Sequence, residues 1–415
     1  MEEKKRGRDL LPTDMIRFRQ VERVFREQAI RYGYQEVRTS TIEPLSLFIR
    51  AGTLDPSMLE NLYSFLDWDG WSGERVVLRP DGTIPASRLF IERFNDTSPV
   101  RLMYIANMFS YDENGTSEHW QCGVELLEPN GSDKAASDAD VAALAIEVAK
   151  EMGFLSPILR VGYPPLIREF LAASGLTGEE QEEITALIRE RDIEELKRIA
   201  KRKGLDKLIG LLGLSSTSPD FVKNISSYLP NGVGINDMTR DFADSVNALH
   251  KAGLPFETSF AMPLNFEYYT GLVMEVYPNS MRTKRKDLLI TGGRYDNLVG
   301  LMSGRKINAT ASGFVLKVEN IIDAPEFVKA LSGKAVLVKP GKDLGYARVL
   351  VSGLRDSGFV AEIEGVGQNR EDFRWTVAFD KKGVSVTDAD GGEVRKIKRR
   401  KIKDGEGLAK IISGR

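Results

Sequence analysis

An amide and a carboxylate, Gln121 and Glu125, stand four residues apart in the segment QCGVELL. On a β-strand, that spacing places both side chains on the same face. Because the neighbouring residues are mostly apolar, burying these two groups is unfavourable unless each is paired or meets a ligand. The pattern therefore indicates either a polar ligand site or a cross-strand salt bridge.

A second group of polar residues lies in the segment RPDGT, residues 79–83. Pro80 and Gly82 interrupt a strand there, so the Asp81 carboxylate and the Thr83 hydroxyl are expected at a strand end. A carboxylate followed closely by a hydroxyl suits a ligand that carries an α-ammonium group. The same residues also fit an ordinary turn that caps a helix, and the sequence leaves both interpretations open.

Tyrosines and glycines mark two further segments, LNFEYYTGLVME (264–275) and GGRYD (292–296). Tyr268 and Tyr269 are adjacent, and on a strand they point to opposite faces, so only one can line a given cleft. The double glycine before Tyr295 permits close approach of the backbone to another element or to a small ligand. Packing of the tyrosines and a simple strand-to-helix turn are the alternative interpretations.

Composition limits the kinds of protein that the chain can be. Its 415 residues predict two or three domains, and a net charge of −2 argues against a globally basic nucleic-acid binder. A single cysteine, Cys122, excludes a disulfide framework and a thiolate metal cluster. We expect a cytoplasmic protein without cofactor or metal, because no segment has the length of a membrane span and no signal-peptide pattern is present.

Hydrophobic periodicity predicts a β-rich domain that carries a helical insertion. A strand is predicted over Gln35–Ile42, and Asp138 is predicted to cap the helix that follows it. Between about residues 164 and 253 every segment has a helical pattern and none is predicted as a strand. A glycine turn is predicted at Thr291–Arg294.

Residues 331–415 alternate short strands with a helix, which predicts a small α/β domain. The segment RKIKRRKIK (395–403) is its densest basic run and could contact phosphates. The alternative is a solvated edge strand protected by lysines. Nucleic acid is not the expected partner, because the run lacks the aromatic residues of an RNA-stacking surface.

The order of these motifs resembles the class II aminoacyl-tRNA synthetase core, specifically its histidyl branch, over about residues 9–322. The segments that carry the resemblance are RDLLP, GYQEV, LRPDGT, MFSYD, HWQCGVELL, LNFEYYTG, GGRYD and ASGFVLKVEN. The resemblance implies an α+β fold in which an antiparallel sheet is flanked by helices. It also implies a core over residues 1–325, including the helical insertion, and a separate C-terminal domain over residues 331–415.

Positions that hold arginine around the nucleotide in the synthetase family lack arginine in this chain. Ser110, Leu264 and Asn320 stand at three of them, and the loop at Gly115–Glu118 supplies none. Adenylation develops negative charge on a phosphate, and removing one fixed donor at such a site costs on the order of 3 kcal/mol. The resemblance therefore implies that the chain does not activate histidine with ATP.

The positions that match the family's histidine pocket keep suitable side chains. They are Asp81, Thr83, Gln121, Glu125, Tyr268, Tyr269 and Tyr295. A retained pocket without the activation chemistry resembles the regulatory subunits of ATP phosphoribosyltransferase, which are paralogues of the histidyl synthetases.

That resemblance implies a non-catalytic subunit that activates a short-form ATP phosphoribosyltransferase in the first step of histidine biosynthesis and takes part in histidine feedback. It also implies a homodimer through the core and a hetero-octamer with the catalytic chains. The alternatives are a diverged but active histidyl-tRNA synthetase and a tRNA-binding accessory protein.

Overall fold

The structure is a computed structural model, and it describes most of the chain. The described residues are 9–52, 62–68, 73–94, 99–110, 118–129, 133–190, 192–230, 233–262, 269–279, 287–327, 335–366, 373–381, 383–388, 393–402 and 404–413. The chain divides into two compact units, Met1–Ile322 and Asp323–Arg415, which we call the core unit and the C-terminal unit.

The core unit is built from strands and helices that alternate along the chain. Its strands are β1 (Gln35–Glu36), β2 (Ile42–Pro44), β3 (Ser64–Trp68), β4 (Gly73–Leu78), β5 (Val100–Phe109), β6 (Glu118–Pro129), β7 (Ile158–Gly162), β8 (Ser215–Ser216), β9 (Phe256–Ser259), β10 (Val273–Tyr277), β11 (Ile290–Arg294) and β12 (Ala309–Lys317). Its helices are α1 (Pro12–Arg31), α2 (Leu45–Arg50), α3 (Thr83–Arg93), α4 (Lys134–Glu151), α5 (Pro164–Ala173), α6 (Gly178–Glu190), α7 (Ile193–Lys203), α8 (Asp206–Leu212), α9 (Val233–Lys251), α10 (Asn297–Met302) and α11 (Val318–Ile322), with a 3₁₀ helix at Pro219–Ser227.

A nine-stranded sheet organises the core unit in the order β1-β5-β6-β12-β11-β10-β7-β9-β8. The run from β5 to β7 is antiparallel at every pairing, whereas β1 pairs with β5 and β7 pairs with β9 in parallel. Helices cover both faces of this sheet, so the predicted α+β fold with an antiparallel sheet flanked by helices is confirmed. A separate three-stranded sheet has the order β2-β4-β3.

The residues of strand β6 alternate between the two faces of the nine-stranded sheet. Cys122, Val124 and Leu126 alternate with Gln121, Gly123 and Glu125, and all six are buried. The cysteine side lies against α1, whereas Leu127, on the glutamate side, packs with residues of α3 and α10. Strands buried on both faces read as nearly continuous apolar runs. In β6 the polar side chains of Gln121 and Glu125 interrupt one face, and the buried Glu128 interrupts the other face near the end of the strand.

Two strand predictions in the core unit were wrong. The predicted strand Gln35–Ile42 is broken between β1 and β2, where Arg79 donates hydrogen bonds to the carbonyl oxygens of Thr39 (3.0 Å) and Ser40 (3.1 Å). The insertion, predicted without a strand, contains β8, which pairs with β9 and extends the sheet. Two serines carry no hydrophobic alternation, so the sequence pattern could not indicate β8.

Two further local predictions were also wrong. Residues Thr291–Arg294 belong to strand β11 and do not form a turn, because the glycines fit where a Cβ would overlap backbone atoms of neighbouring strands. Asp138 does not cap α4: the cap is Asp133, whose Oδ1 accepts a hydrogen bond from Ala136 N at 3.1 Å. Asp138 lies inside the helix and is buried.

The C-terminal unit contains a five-stranded sheet of order β14-β13-β15-β16-β17. Its elements are β13 (Ala335–Lys339), α12 (Leu344–Asp356), β14 (Val360–Ile363), β15 (Trp375–Phe379), β16 (Gly383–Asp388), β17 (Glu393–Lys398), a 3₁₀ turn at Arg399–Lys401 and α13 (Gly405–Ile412). Residues 395–398 of the basic run lie on β17, which is an edge strand, and residues 399–401 form the 3₁₀ turn that follows it. This placement agrees with the interpretation of the run as a lysine-protected edge.

Candidate functional site

The Glu125 carboxylate is the centre of a buried polar cluster on β6. Its Oε1 accepts hydrogen bonds from the hydroxyls of Thr83 (2.8 Å) and Tyr104 (3.3 Å). Its Oε2 accepts a hydrogen bond from the Tyr295 hydroxyl. Among the residues that the structure describes, no lysine or arginine forms an ion pair with Glu125, so the cross-strand salt bridge considered from the sequence is absent there.

Glycines provide the space in which this cluster fits. Tyr104 on β5 is directly opposite Gly123 on β6, and a Cβ at Gly123 or at Gly82 would overlap the tyrosine ring. A Cβ at Gly313 on β12 would overlap the Glu125 carboxylate. Tyr104 is therefore a member of the site that the sequence did not indicate. The two glycines that face its ring are visible in the sequence, but nothing there pairs them with Tyr104.

Asp81 and Thr83 lie on the loop that leads into α3, beside the cluster. Asp81 is half-buried, and its Oδ1 accepts a hydrogen bond from Ile84 N at 3.0 Å. This bond fits the alternative interpretation of RPDGT as a turn that starts a helix. The Thr83 hydroxyl, however, points to Glu125, so the segment also contributes to the polar cluster.

Gln121 lies on the same face of β6 as Glu125 and is 6% exposed. Its Nε2 is 3.2 Å from Nε2 of His119. Its Oε1 is buried and has no hydrogen-bond partner within the described part of the chain. A buried acceptor without a donor is unfavourable, so this oxygen is suited to an N–H group of a ligand.

The aromatic side chains predicted for the pocket lie in one buried cluster with Leu127 and Ile84. Tyr295 is 2% exposed and Tyr269 is 9% exposed. Tyr268 falls outside the described residues. Of the six predicted site residues that are described, Thr83 and Tyr295 bond to Glu125, Asp81 and Tyr269 lie beside this cluster, and Gln121 shares its strand face. Their role as a histidine site remains a prediction.

Burial raises the pKa values of the two carboxyl groups at this cluster. Burial raises the pKa of Glu125 to about 8, and the nearby charge of Asp81 adds to the rise, while the three hydroxyls oppose it. Burial also raises the pKa of Asp81 to about 6, and backbone N–H groups of Ile84 and Thr83 oppose that shift. Two carboxyl groups that are desolvated together gain most from a ligand that brings positive charge.

The raised pKa of Glu125 predicts how stability changes with pH. The unfolded chain loses this proton near pH 4.5, whereas the folded chain keeps it to about pH 8. Unfolding therefore releases a proton in that window, and the free energy of unfolding should fall as pH rises from about 5 to 8, by at most about 1.4 kcal/mol per pH unit for one proton. Asp81 contributes in the same direction up to about pH 6.

Urea unfolding of the unliganded chain at pH 6, 7 and 8 would measure this slope. The Glu125→Gln variant, which has no proton to release at that position, should show a shallower decrease over the same range. Equal slopes for the variant and the wild-type chain would contradict the assignment of the titration to Glu125.

Comparison with known proteins places the chain in a family. The histidyl-tRNA synthetase family profile matches residues 7–321. An ATP phosphoribosyltransferase regulatory subunit from Dehalococcoides mccartyi is 35% identical over 412 residues, which cover 97% of this chain and 96% of that protein. The chain belongs to the family of ATP phosphoribosyltransferase regulatory subunits.

This regulatory-subunit family shares its fold with histidyl-tRNA synthetases. A histidine–tRNA ligase from Pyrococcus furiosus is 30% identical, with coverage of 96% of each chain. The crystal structure of histidyl-tRNA synthetase from Nostoc superposes with a TM-score of 0.70 at 17% identity, covering 98% of this chain and 97% of that one. The structure named as a regulatory subunit/histidyl-tRNA synthetase from Bacillus halodurans has a TM-score of 0.67 at 23% identity, covering 90% and 95%.

Two of the three positions at which the synthetase family has arginine, Ser110 and Asn320, are described in the structure. Ser110 follows β5 directly, and its short hydroxyl carries no charge. The Asn320 amide donates a hydrogen bond to the carbonyl oxygen of Leu288 at 2.7 Å, so it is engaged with the backbone. Leu264 and residues 111–117 lie outside the described residues.

Arg79, the arginine of RPDGT, is also engaged with the backbone. It is 3% exposed, and besides its bonds to residues 39 and 40 it donates to the carbonyl oxygen and the side-chain oxygen of Asn107, at 3.0 and 3.1 Å. Its guanidinium joins β5 to the segment before β2, and this arrangement is structural.

No described helix is both long and apolar enough to cross a membrane.

Proposed function

We propose that this chain is a non-catalytic regulatory subunit that binds and activates a short-form ATP phosphoribosyltransferase, in the first step of histidine biosynthesis. Histidine binds in the Glu125 pocket and produces feedback inhibition of the catalytic partner. The observation that carries the proposal is a buried carboxylate with three hydroxyl partners and no cation in reach among the described residues. It occurs in a chain whose relative from D. mccartyi is named a regulatory subunit.

The chemistry of the pocket favours histidine as the ligand. The α-ammonium group supplies the positive charge that Glu125 and Asp81 lack, and the imidazole ring can pack against Tyr269 and Tyr295. The orphan Oε1 of Gln121 can accept a hydrogen bond from a ligand N–H. Feedback requires that histidine bind one state of the assembly more tightly than the other, because equal affinity shifts no equilibrium.

The assembly is part of the proposal. The core unit forms a homodimer, and four regulatory chains combine with four catalytic chains in a cytoplasmic hetero-octamer. Native mass spectrometry of the purified mixture measures this stoichiometry directly, and a mixture that stays separated at micromolar concentrations would contradict it.

Reconstitution tests the function. A short-form ATP phosphoribosyltransferase from the same source should gain activity when this chain is added, and histidine should then inhibit the mixture. The Glu125→Gln variant should still activate the enzyme while the mixture loses its response to histidine. Catalytic activity that is independent of the added chain would overturn the proposal.

A diverged histidyl-tRNA synthetase is the second candidate, and the 30% identity to the P. furiosus ligase favours it. Histidine-dependent exchange of pyrophosphate into ATP distinguishes the two candidates. We expect exchange at background, because the positions of Ser110 and Asn320 supply no fixed cation to the phosphates. Exchange clearly above background would support the synthetase.

A further inference from the structure

The first helix of the insertion is bonded to the tyrosine segment of the pocket. Arg168 lies half-buried on α5, and its Nη2 donates a hydrogen bond to the backbone carbonyl oxygen of Tyr269. The two residues are 101 positions apart in the chain. A guanidinium donor gives a stronger bond to a carbonyl than a neutral donor does, so this contact ties α5 firmly to the wall of the pocket.

Thr270, the residue after Tyr269, is held by a separate set of hydrogen bonds. Thr270 N donates to the carbonyl oxygen of Arg294 at 2.8 Å, and the Thr270 hydroxyl accepts from Asp296 N at 2.9 Å. These bonds join the segment after Tyr269 to GGRYD. Arg168 is therefore a contact from the insertion that adds to these bonds and orients the Tyr269 carbonyl.

The same arginine also lines a cleft of about 700 Å³ between α5 and α6. Glu182 and Arg189 stand on the α6 side, 3.1 Å apart, and Thr270 forms part of the wall. Because Thr270 follows Tyr269 directly, the cleft and the amino-acid pocket share one piece of backbone. A displacement of α5 relative to the sheet would move the Arg168 donor and hence the Tyr269 carbonyl.

We propose that Arg168 is a positioning residue for the amino-acid pocket, which couples the place of helix α5 to the affinity for histidine through the Tyr269 carbonyl. This inference rests on the proposed function, since it presupposes that histidine binds the pocket. By linkage, histidine binding stabilises the position of α5 in which Arg168 bonds to Tyr269. A partner that displaces α5 and so weakens histidine binding by some factor is itself bound more weakly, by the same factor, when histidine is present. The helical insertion is thereby part of the regulatory response.

Calorimetric titration of the full chain with histidine tests this role. Arg168→Ala should weaken histidine binding by about ten-fold or more, as expected for loss of a charged hydrogen bond that orders a pocket wall. Millimolar methylguanidinium should restore part of the affinity, because it can occupy the space left by the side chain and supply the lost donor. Arg189→Ala, on the other side of the same cleft, should change the affinity less than about two-fold.

A double-mutant cycle separates positioning from a general structural effect. If Arg168 acts through Tyr269, then Arg168→Ala should add little further loss in a Tyr269→Ala background. An equal loss in both backgrounds, or a wild-type affinity for Arg168→Ala, would overturn the inference while leaving histidine binding intact. Absence of histidine binding by the wild-type chain would instead refute the proposed function.

Should Arg168→Ala fail to fold by circular dichroism, Arg168→Gln provides the measurement. Its amide is neutral and shorter, so it should bind histidine more weakly than wild type and respond less to methylguanidinium. Wild-type affinity for this variant would also overturn the inference.

Discussion

Glu125→Gln should weaken histidine binding by at least about 30-fold, since unpairing a buried charge costs about 2 kcal/mol or more. Glutamine keeps the shape of the side chain and can still bond some of the hydroxyls of Thr83, Tyr104 and Tyr295. The change removes the negative charge that the ligand ammonium needs. The affected quantity is therefore the dissociation constant of histidine, and the fold should persist.

Calorimetry at pH 8 measures this effect, because the Glu125 carboxyl is then close to its own pKa and the histidine ammonium is still charged. Glu128→Gln is the matched control. Glu128 is also buried on β6 and accepts a hydrogen bond from the Ser137 hydroxyl at 2.7 Å, but it faces the opposite side of the sheet. Wild-type affinity in Glu125→Gln, or an equal loss in Glu128→Gln, would contradict the assignment of the site.

The sequence could predict which residues share a face of β6, because side chains alternate along a strand regardless of the rest of the fold. Gln121 and Glu125 therefore lie as predicted. Tyr104 could not be predicted in the same way. Its role depends on the pairing that sets it opposite Gly123 and on Gly82 from a third segment, and neither long-range contact leaves a periodic pattern.

The local errors have the same origin. Residues 291–294 have the composition of a turn, yet glycine is required there because neighbouring strands approach too closely for a Cβ. Asp138 has the position of a helix cap in the sequence, yet its carboxylate is buried against Arg294, which lies at the end of strand β11. Tertiary contacts outweighed local propensity in both cases.

The resemblance of the ordered motifs predicted more about the family and the fold than the hydrophobic periodicity did. Family membership is confirmed, and the overall fold follows from it. The roles of the pocket residues do not follow, because a buried carboxylate can be retained for packing as well as for binding. The absence of a cation beside Glu125 in the described structure and the orphan Gln121 oxygen are the physical reasons to prefer binding.

Arg294→Met should destabilise the fold by about 3–5 kcal/mol, the usual effect of removing one partner from a buried ion pair. Arg294 is 3% exposed and pairs with Asp138 at 2.8 Å and Asp296 at 3.0 Å. It also donates to the carbonyl oxygen of Lys134 at 2.7 Å, so it joins β11 to the start of α4. Without it, the partners that the described residues offer the buried Asp138 carboxylate are the hydroxyls of Ser245 and Ser312.

A second substitution, Asp138→Asn, should have opposite effects on stability with and without Arg294. That change of sign would identify the unpaired buried charge as the cause of the loss. Asp138→Asn should destabilise the wild-type chain, because it weakens the pair with Arg294. In the Arg294→Met background the same change should restore stability, because it removes the unpaired buried charge. Urea unfolding of the four proteins measures the cycle.

The surface pair of Arg198 and Glu195 provides the control for this cycle. Both lie on α7, and the Arg198 side chain is 66% exposed, so Arg198→Met should change the free energy of unfolding by less than about 1 kcal/mol. A loss in Arg294→Met as small as that at the surface pair would show that the buried pair does not hold α4 to the sheet. Since Tyr295 follows Arg294 directly, the same ion pair also holds the backbone beside the tyrosine whose hydroxyl bonds to Glu125.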